Sequence, residues 1–252
     1  MAFCELHYYS KALSKQTAAS VILPQCENQQ GPFAVWYLLH GLSDDHSGWM
    51  RRTSIERYVA HLPLIVVMPD GGRSFYCDAA QGYAYETAIV EDTIGYIDSV
   101  FHTKAERGGR CISGLSMGGY GALKLALRFP QLFCSAVSHS GALNFAHVYP
   151  DPNHEEFGRI IGDNPVGGPN DLYALAERCE RSLLPALRID CGSEDFLLDM
   201  NRQFHAHLEA LGIAHEYEEY PGAHDWGYWD LHVQEAVAFQ ARQLRLGSEP
   251  GI

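Results

Sequence analysis

Ser116 stands in Gly114-Leu115-Ser116-Met117-Gly118, where a β-rich run (110–113) passes straight into a helical pattern. A serine framed by glycines at a strand-to-helix turn is the arrangement that exposes a hydroxyl as a nucleophile. The turn holds the serine in a strained backbone conformation, and the absence of a Cβ at 114 and 118 leaves room for the neighbouring strand and helix. Gly119 and Gly121 extend that small face. Alone, the pattern also fits an ordinary glycine-rich turn, so the chemistry depends on what partners the chain supplies.

A serine hydroxyl is hardly ionised at neutral pH and needs a base. Of thirteen histidines, His224 in Gly222-Ala223-His224 is the best placed, directly ahead of the last helical pattern. His205 and His207 fall in an amphipathic helix, and His61, His102 and His215 lie near element ends. The acid that orients the imidazole is read as Asp195, in the turn beyond a strand that ends at Cys191-Gly192-Ser193-Glu194-Asp195. Glu194, Asp190 and Asp199 compete, but Asp190 falls inside the strand and Asp199 is expected to cap the next helix. Serine, then aspartate, then histidine is the chain order of α/β-hydrolases, unlike the chymotrypsin or subtilisin orders.

An oxyanion needs two aimed N–H donors, read here as Met117, after the nucleophile, and Leu42, where Gly41 lets the chain turn behind the apolar run 36–39. His40 is then structural rather than a second base. Metal catalysis is not expected: His205-x-His207 points to different helix faces, Asp44-Asp45-His46 matches no compact zinc pattern, and no cofactor motif occurs. The aromatic residues Trp49, Tyr83, Tyr85 and Trp226 are candidates to wall a small substrate pocket, though any of them could equally be core packing.

These residues need a scaffold that brings distant chain segments to one rim. Strand-like runs at 19–23, 34–39, 64–68, 110–113, 135–138, 187–191 and 215–220 alternate with helical stripes, several of the runs being apolar throughout. The stripes are Ile89/Thr93/Ile97/Val100, Met200/Phe204/Leu208/Leu211 ending at Gly212, and Trp229/Val233/Val237/Ala241/Leu244. The expected fold is α/β, of the α/β-hydrolase kind: a mainly parallel central sheet with helices on both faces, one domain over residues 1–252. Residues 143–169, rich in Pro, Gly and Asn, are read as an insertion over the carboxyl ends of the strands, where open α/β sheets bind ligands.

A formal net charge of −13 over 252 residues argues against nucleic-acid or anionic-membrane partners. Seven scattered cysteines, Cys26 among them, show no C-x-x-C spacing, as expected of reduced thiols. The first residues lack the basic and apolar regions of a signal peptide, and no run reaches membrane-spanning length, so a cytoplasmic protein is expected. Self-association is left open.

Taken together, the chain resembles the esterase D family of α/β-hydrolases, and within it the small bacterial tributyrin esterases most. The residues that carry the likeness are Tyr37-Leu38-Leu39-His40-Gly41, Ile65-Val66-Val67-Met68-Pro69, Ala88, Gly114 to Gly121, Ser140-Gly141-Ala142-Leu143, Cys191-Gly192, Asp195-Phe196-Leu197, and His224 with Trp226, Tyr228 and Trp229. The resemblance implies Ser116, Asp195 and His224 as triad, Leu42 and Met117 amides as oxyanion hole, small carboxylic esters as substrates, and no cofactor. Ser43-Asp44 and Asp225-Trp226-Gly227-Tyr228 depart from the Thr-Cys and His-Ser-Tyr signatures of the family's S-formylglutathione hydrolases. The expected activity is hydrolysis of short-chain acyl esters through an acyl-enzyme. S-formylglutathione or feruloyl/acetyl ester hydrolysis, acyl transfer to an alcohol, and a non-catalytic binding protein that kept the turn as architecture are the alternatives.

Overall fold

The computed structural model describes residues 1–25, 30–148 and 155–247. Eight strands form one sheet in the order β1-β2-β4-β3-β5-β6-β7-β8. They are β1 (Ala2–Ser10), β2 (Lys15–Leu23), β3 (Ala34–Leu39), β4 (Leu64–Pro69), β5 (Arg110–Leu115), β6 (Ser135–His139), β7 (Ala186–Gly192) and β8 (His215–Tyr220). From β4 through β8 every neighbour pair is parallel; β1 and β2 add an antiparallel edge. This is the α/β-hydrolase fold.

The apolar runs are continuous because both faces of the sheet are covered. Along β3, Val35, Tyr37 and Leu39 enter one core together with Ile65 and Val67 of β4, whereas Trp36 and Leu38 enter the opposite core with Val66 and Met68. Against the first core lie α4 (Ile94–Val100), α5 (Met117–Arg128), α8 (Leu172–Arg178) and α9 (Leu198–Ala210); against the second lie α1 (Gly48–Arg52), α2 (Ile55–Tyr58) and α10 (Trp226–Gln243). The alternation of side chains along a strand is what sends adjacent hydrophobes to opposite helical layers. The short α3 (Tyr85–Thr87) runs through a π-helical stretch (Ala88–Thr93) into α4.

Several sequence expectations need correction. β1 was not anticipated: its residues alternate between exposed and covered, with Phe3 and Tyr9 facing outward, which masks the hydrophobic period of an edge strand. β2 begins four residues earlier than the apolar run, because Lys15 to Ala18 pair with β1 regardless of polarity. Val100 closes the first stripe in sequence but is 50% exposed at the end of α4. Asp199 lies inside the first turn of α9, whose N-cap position is Leu197. The 143–169 segment is helical in part, with α6 (Phe145–Val148) and α7 (Glu155–Ile161); residues 149–154, like Cys26, lie outside the described residues. No described helix is long and apolar enough to cross a membrane.

Candidate active site

β5 extends to Leu115 and α5 starts at Met117, so Ser116 alone makes the turn. Its φ of 52° and ψ of −117° are costly for a residue with a side chain and persist only where the surroundings fix them. The fixing groups are explicit. Ser116 N–H donates to His139 O at 2.9 Å, while its own carbonyl accepts from Tyr120 N at 3.1 Å and Ala142 N at 3.2 Å. A Cβ on Gly114 would come within 2.3 Å of Gly118 O, and one on Gly118 within 2.5 Å of Leu39 O, so only glycine allows strand and helix to meet this closely.

Parallel pairing carries the other two chain segments to the same rim. Gly192 pairs with Tyr220, and Glu194 N–H donates to Gly222 O at 2.9 Å, which joins the turn after β7 to the turn after β8. Asp195 therefore meets His224. His224 Nδ1 lies 2.8 Å and 3.0 Å from the two Asp195 carboxylate oxygens, and His224 Nε2 lies 3.0 Å from Ser116 Oγ. A carboxylate only accepts, so Nδ1 carries the proton and Nε2 is left free to accept from the serine hydroxyl.

Burial by itself would raise the Asp195 carboxyl, but it is outweighed by hydrogen bonds from His224, the Leu197 N–H and the Ser140 side chain, and the group is held below the usual carboxylate range. The Leu197 bond is 2.8 Å. Ser140, with φ 50°, also accepts from Trp229 Nε1 at 3.2 Å. Ser140 was named only within the resemblance, without a role; its one signal was a small Ser-Gly pair at a strand end. Phe196 was named only within the resemblance, yet it is 77% exposed with its ring 4.5 Å from that of His224.

The loop after β3 is pinned beside Ser116. His40 is buried; its Nδ1 donates to Gly41 O at 2.8 Å, its Nε2 accepts from Gly71 N–H at 2.8 Å, and its carbonyl accepts from Tyr76 O–H at 2.9 Å. Both ring nitrogens are thus spent on backbone. A Cβ on Gly41 would lie 3.6 Å from Ser116 Cβ, which puts the next residue, Leu42, beside the turn. Met117 N–H is at the start of α5, where no intrahelical acceptor exists.

The four aromatic candidates part company. Trp49 is 1% exposed, donates Nε1 to Leu39 O at 2.9 Å, and meets Trp226 edge-on at 5.4 Å. Trp226 meets Trp229 at 5.4 Å, and Trp229 meets His224 at 4.9 Å, so these two rings do join the histidine. Tyr83 is 60% exposed, and Tyr85 faces Gly72, where a Cβ would be 2.8 Å from its hydroxyl; no described ring contact links either tyrosine to His224. The helices of 143–169 grip the segment after β4: Phe145 stacks on Phe75 at 3.8 Å, Phe157 meets Phe75 edge-on at 5.2 Å, and Arg73 forks onto Glu156 at 2.7 and 2.8 Å. Among the described residues, no group of three or more His, Cys, Asp or Glu could hold a metal ion.

Comparison with known proteins agrees with this geometry. A family model described as putative esterase matches residues 10–239. The chain is 30% identical over 265 aligned positions to an acetyl esterase of Caldicellulosiruptor saccharolyticus, covering 96% of this chain and 99% of that one. Among solved structures it is similar to a fluorophosphonate-binding serine hydrolase of Staphylococcus aureus, with TM-score 0.86, 32% identity and coverage of 95% and 98%. It is also similar to an S-formylglutathione hydrolase of that organism, with TM-score 0.84 at the same identity and coverage.

Proposed function

The chain belongs to the putative esterase family, and from that premise we propose that it is a serine carboxylesterase that cleaves short-chain acyl esters through an acyl-enzyme. The observation that carries the reading is the unbroken line from Asp195 through His224 to Ser116, at 2.8 Å and 3.0 Å. Ser116 Oγ attacks the ester carbonyl while its proton passes to His224 Nε2. Asp195 holds the imidazole in the tautomer that can take that proton and stabilises the imidazolium. The Leu42 and Met117 N–H groups receive the oxyanion, each donor worth about 3 kcal/mol of transition-state stabilisation. His224 then returns the proton to the departing alcohol, and water, activated in the same way, releases the acid.

Trp226, half-buried and linked through Trp229 to His224, supports with the helices of 143–169 a pocket suited to small acyl groups, with Trp49 packed in the core behind it. A second reading, S-formylglutathione hydrolysis, is favoured by the likeness to the staphylococcal hydrolase of that name. Scattered cysteines without disulfides among the described residues support a reducing, cytoplasmic setting. The deciding experiment is a panel of soluble p-nitrophenyl esters run beside S-formylglutathione, with Ser116→Ala in parallel. Acetyl to butyryl esters should lead, and Ser116→Ala should lose roughly a thousandfold or more while keeping its fold. Near-normal turnover by a folded Ser116→Ala protein sinks the reading; a highest kcat/KM for the thioester hands it to the second.

A further inference from the structure

Asp44 takes part in none of these steps, yet it flanks the same glycine as the nucleophile. A Cβ on Gly41 would lie 3.6 Å from Asp44 Oδ2, just as it would from Ser116 Cβ. On its other side, a Cβ on Gly48 would lie 3.5 Å from Asp44 Cβ and 3.4 Å from Trp226 Cζ2. Asp44 therefore spans from the oxyanion loop to the first residue of α10, two positions beyond His224.

The side chain is half-buried and makes no hydrogen bond or ion pair among the described residues; only its backbone N–H is engaged, with Gly41 O at 3.3 Å. Burial raises its carboxyl above the usual range, against the pull of His40 and the exposed Arg52 and Arg51, with Asp45 adding to the rise. A carboxylate kept partly dry, with no hydrogen bond of its own, acts on whatever charge a substrate brings beside it. At separations of several ångströms and intermediate effective dielectric, such a charge changes relative rates by roughly tenfold.

We propose that Asp44 is a specificity-determining charge filter on the leaving-group side: it admits esters of neutral or cationic alcohols and turns away those whose alcohol or thiol part is anionic. The inference rests on Ser116 as nucleophile, and it disfavours a glutathione leaving group, which carries two carboxylates.

The test uses three acetates of one shape: 4-acetoxybenzamide (neutral), 4-acetoxybenzoate (anionic) and 4-acetoxy-N,N,N-trimethylanilinium (cationic). In Asp44→Asn the anionic-to-neutral ratio of kcat/KM should rise roughly tenfold and the cationic-to-neutral ratio should fall, whereas Glu56→Gln, which removes a charge from the exposed face of α2, should leave both ratios alone. Raising the salt concentration should pull the wild-type ratios toward those of Asp44→Asn, a readout that needs no variant. Unchanged ratios in a folded Asp44→Asn protein, or a wild-type ratio indifferent to salt, overturn the filter. Hydrolysis of the neutral acetate that survives Ser116→Ala would instead overturn the nucleophile assignment beneath it.

Discussion

Two histidine–aspartate pairs hang from β7 and the turn beyond it, and they differ in almost nothing but access. His139 Nδ1 lies 2.9 Å from Asp190 Oδ1 in the middle of the protein, and His224 Nδ1 lies 2.8 Å from Asp195 Oδ2 at the rim. The inner pair has side chains with 0% exposure, and His139 Nε2 has no partner among the described residues. In the outer pair the imidazole is 15% exposed and its Nε2 faces the Ser116 hydroxyl. A charged-assisted His–Asp contact is thus a common structural part. What converts one copy into a base is a third atom on the far nitrogen and a route for substrate to reach it.

The inner pair still serves the outer one. Tyr228 O–H donates to Asp190 at 3.0 Å, and the carbonyl of His139 receives the Ser116 N–H that fixes the strained turn. Burial first, and Asp190 beside it, push the Tyr228 phenol far above its usual range, so it acts only as a donor. The inner pair is framework for the turn, whereas the outer pair is the one proposed to do chemistry.

Substitution should separate the two roles most sharply in the rate. Asp195→Asn is expected to lower kcat by about ten-thousandfold at a smaller cost in thermal midpoint than Asp190→Asn, which should leave kcat per folded molecule within a few-fold of wild type. Equal rate losses would erase the distinction. Stability should show the reverse order. Removing one partner of a buried pair costs about 3–5 kcal/mol, so Asp190→Asn should lower the thermal midpoint by roughly 10 °C in calorimetry.

A smaller effect comes from acid. The folded Asp195 carboxyl sits below its unfolded value, so it contributes stability that is present above about pH 4 and is lost as pH falls through the folded value. Urea midpoints measured from pH 5 down to pH 3 should fall more steeply for wild type than for Asp195→Asn; parallel curves would contradict the shift. The smallest effect belongs to the cap of α10: Asp225 accepts from Tyr228 N–H at 3.0 Å, and Asp225→Ala should cost about 1 kcal/mol with a modest loss of rate through His224 beside it.

The outer pair was legible in the sequence because its residues lie in turns at strand ends, where polarity has no packing explanation. The inner pair was not, since Asp190 and His139 occupy strand positions whose side-chain direction depends on neighbours that only the sheet order supplies. The same limit hid β1 and the role of Ser140. Periodicity reports which face of an element is buried, and β3, β5 and β8 were placed well by it. It does not report that an edge strand keeps aromatic residues on its open face, or that a serine of positive φ reaches behind the acid. Leu42 was read from the glycine ahead of it, whereas the tyrosines at 83 and 85 were chosen as bulky aromatics near strand ends, and Tyr83 points to solvent.

Three of the four tryptophans stand in a relay of edge contacts that ends on His224: Trp49 touches Trp226, Trp226 touches Trp229, and Trp229 touches the imidazole. The fourth, Trp36, is sealed inside the sheet with its N–H on Ser113. Three of the four indoles that absorb and emit in the ultraviolet therefore stand in one relay ending on His224. Protonated imidazole quenches indole, so the brightness of the cluster should brighten and dim with the charge state of the base, and change again when an acyl group occupies Ser116. On the proposed reading, that emission should follow turnover with no label and no chromogenic ester.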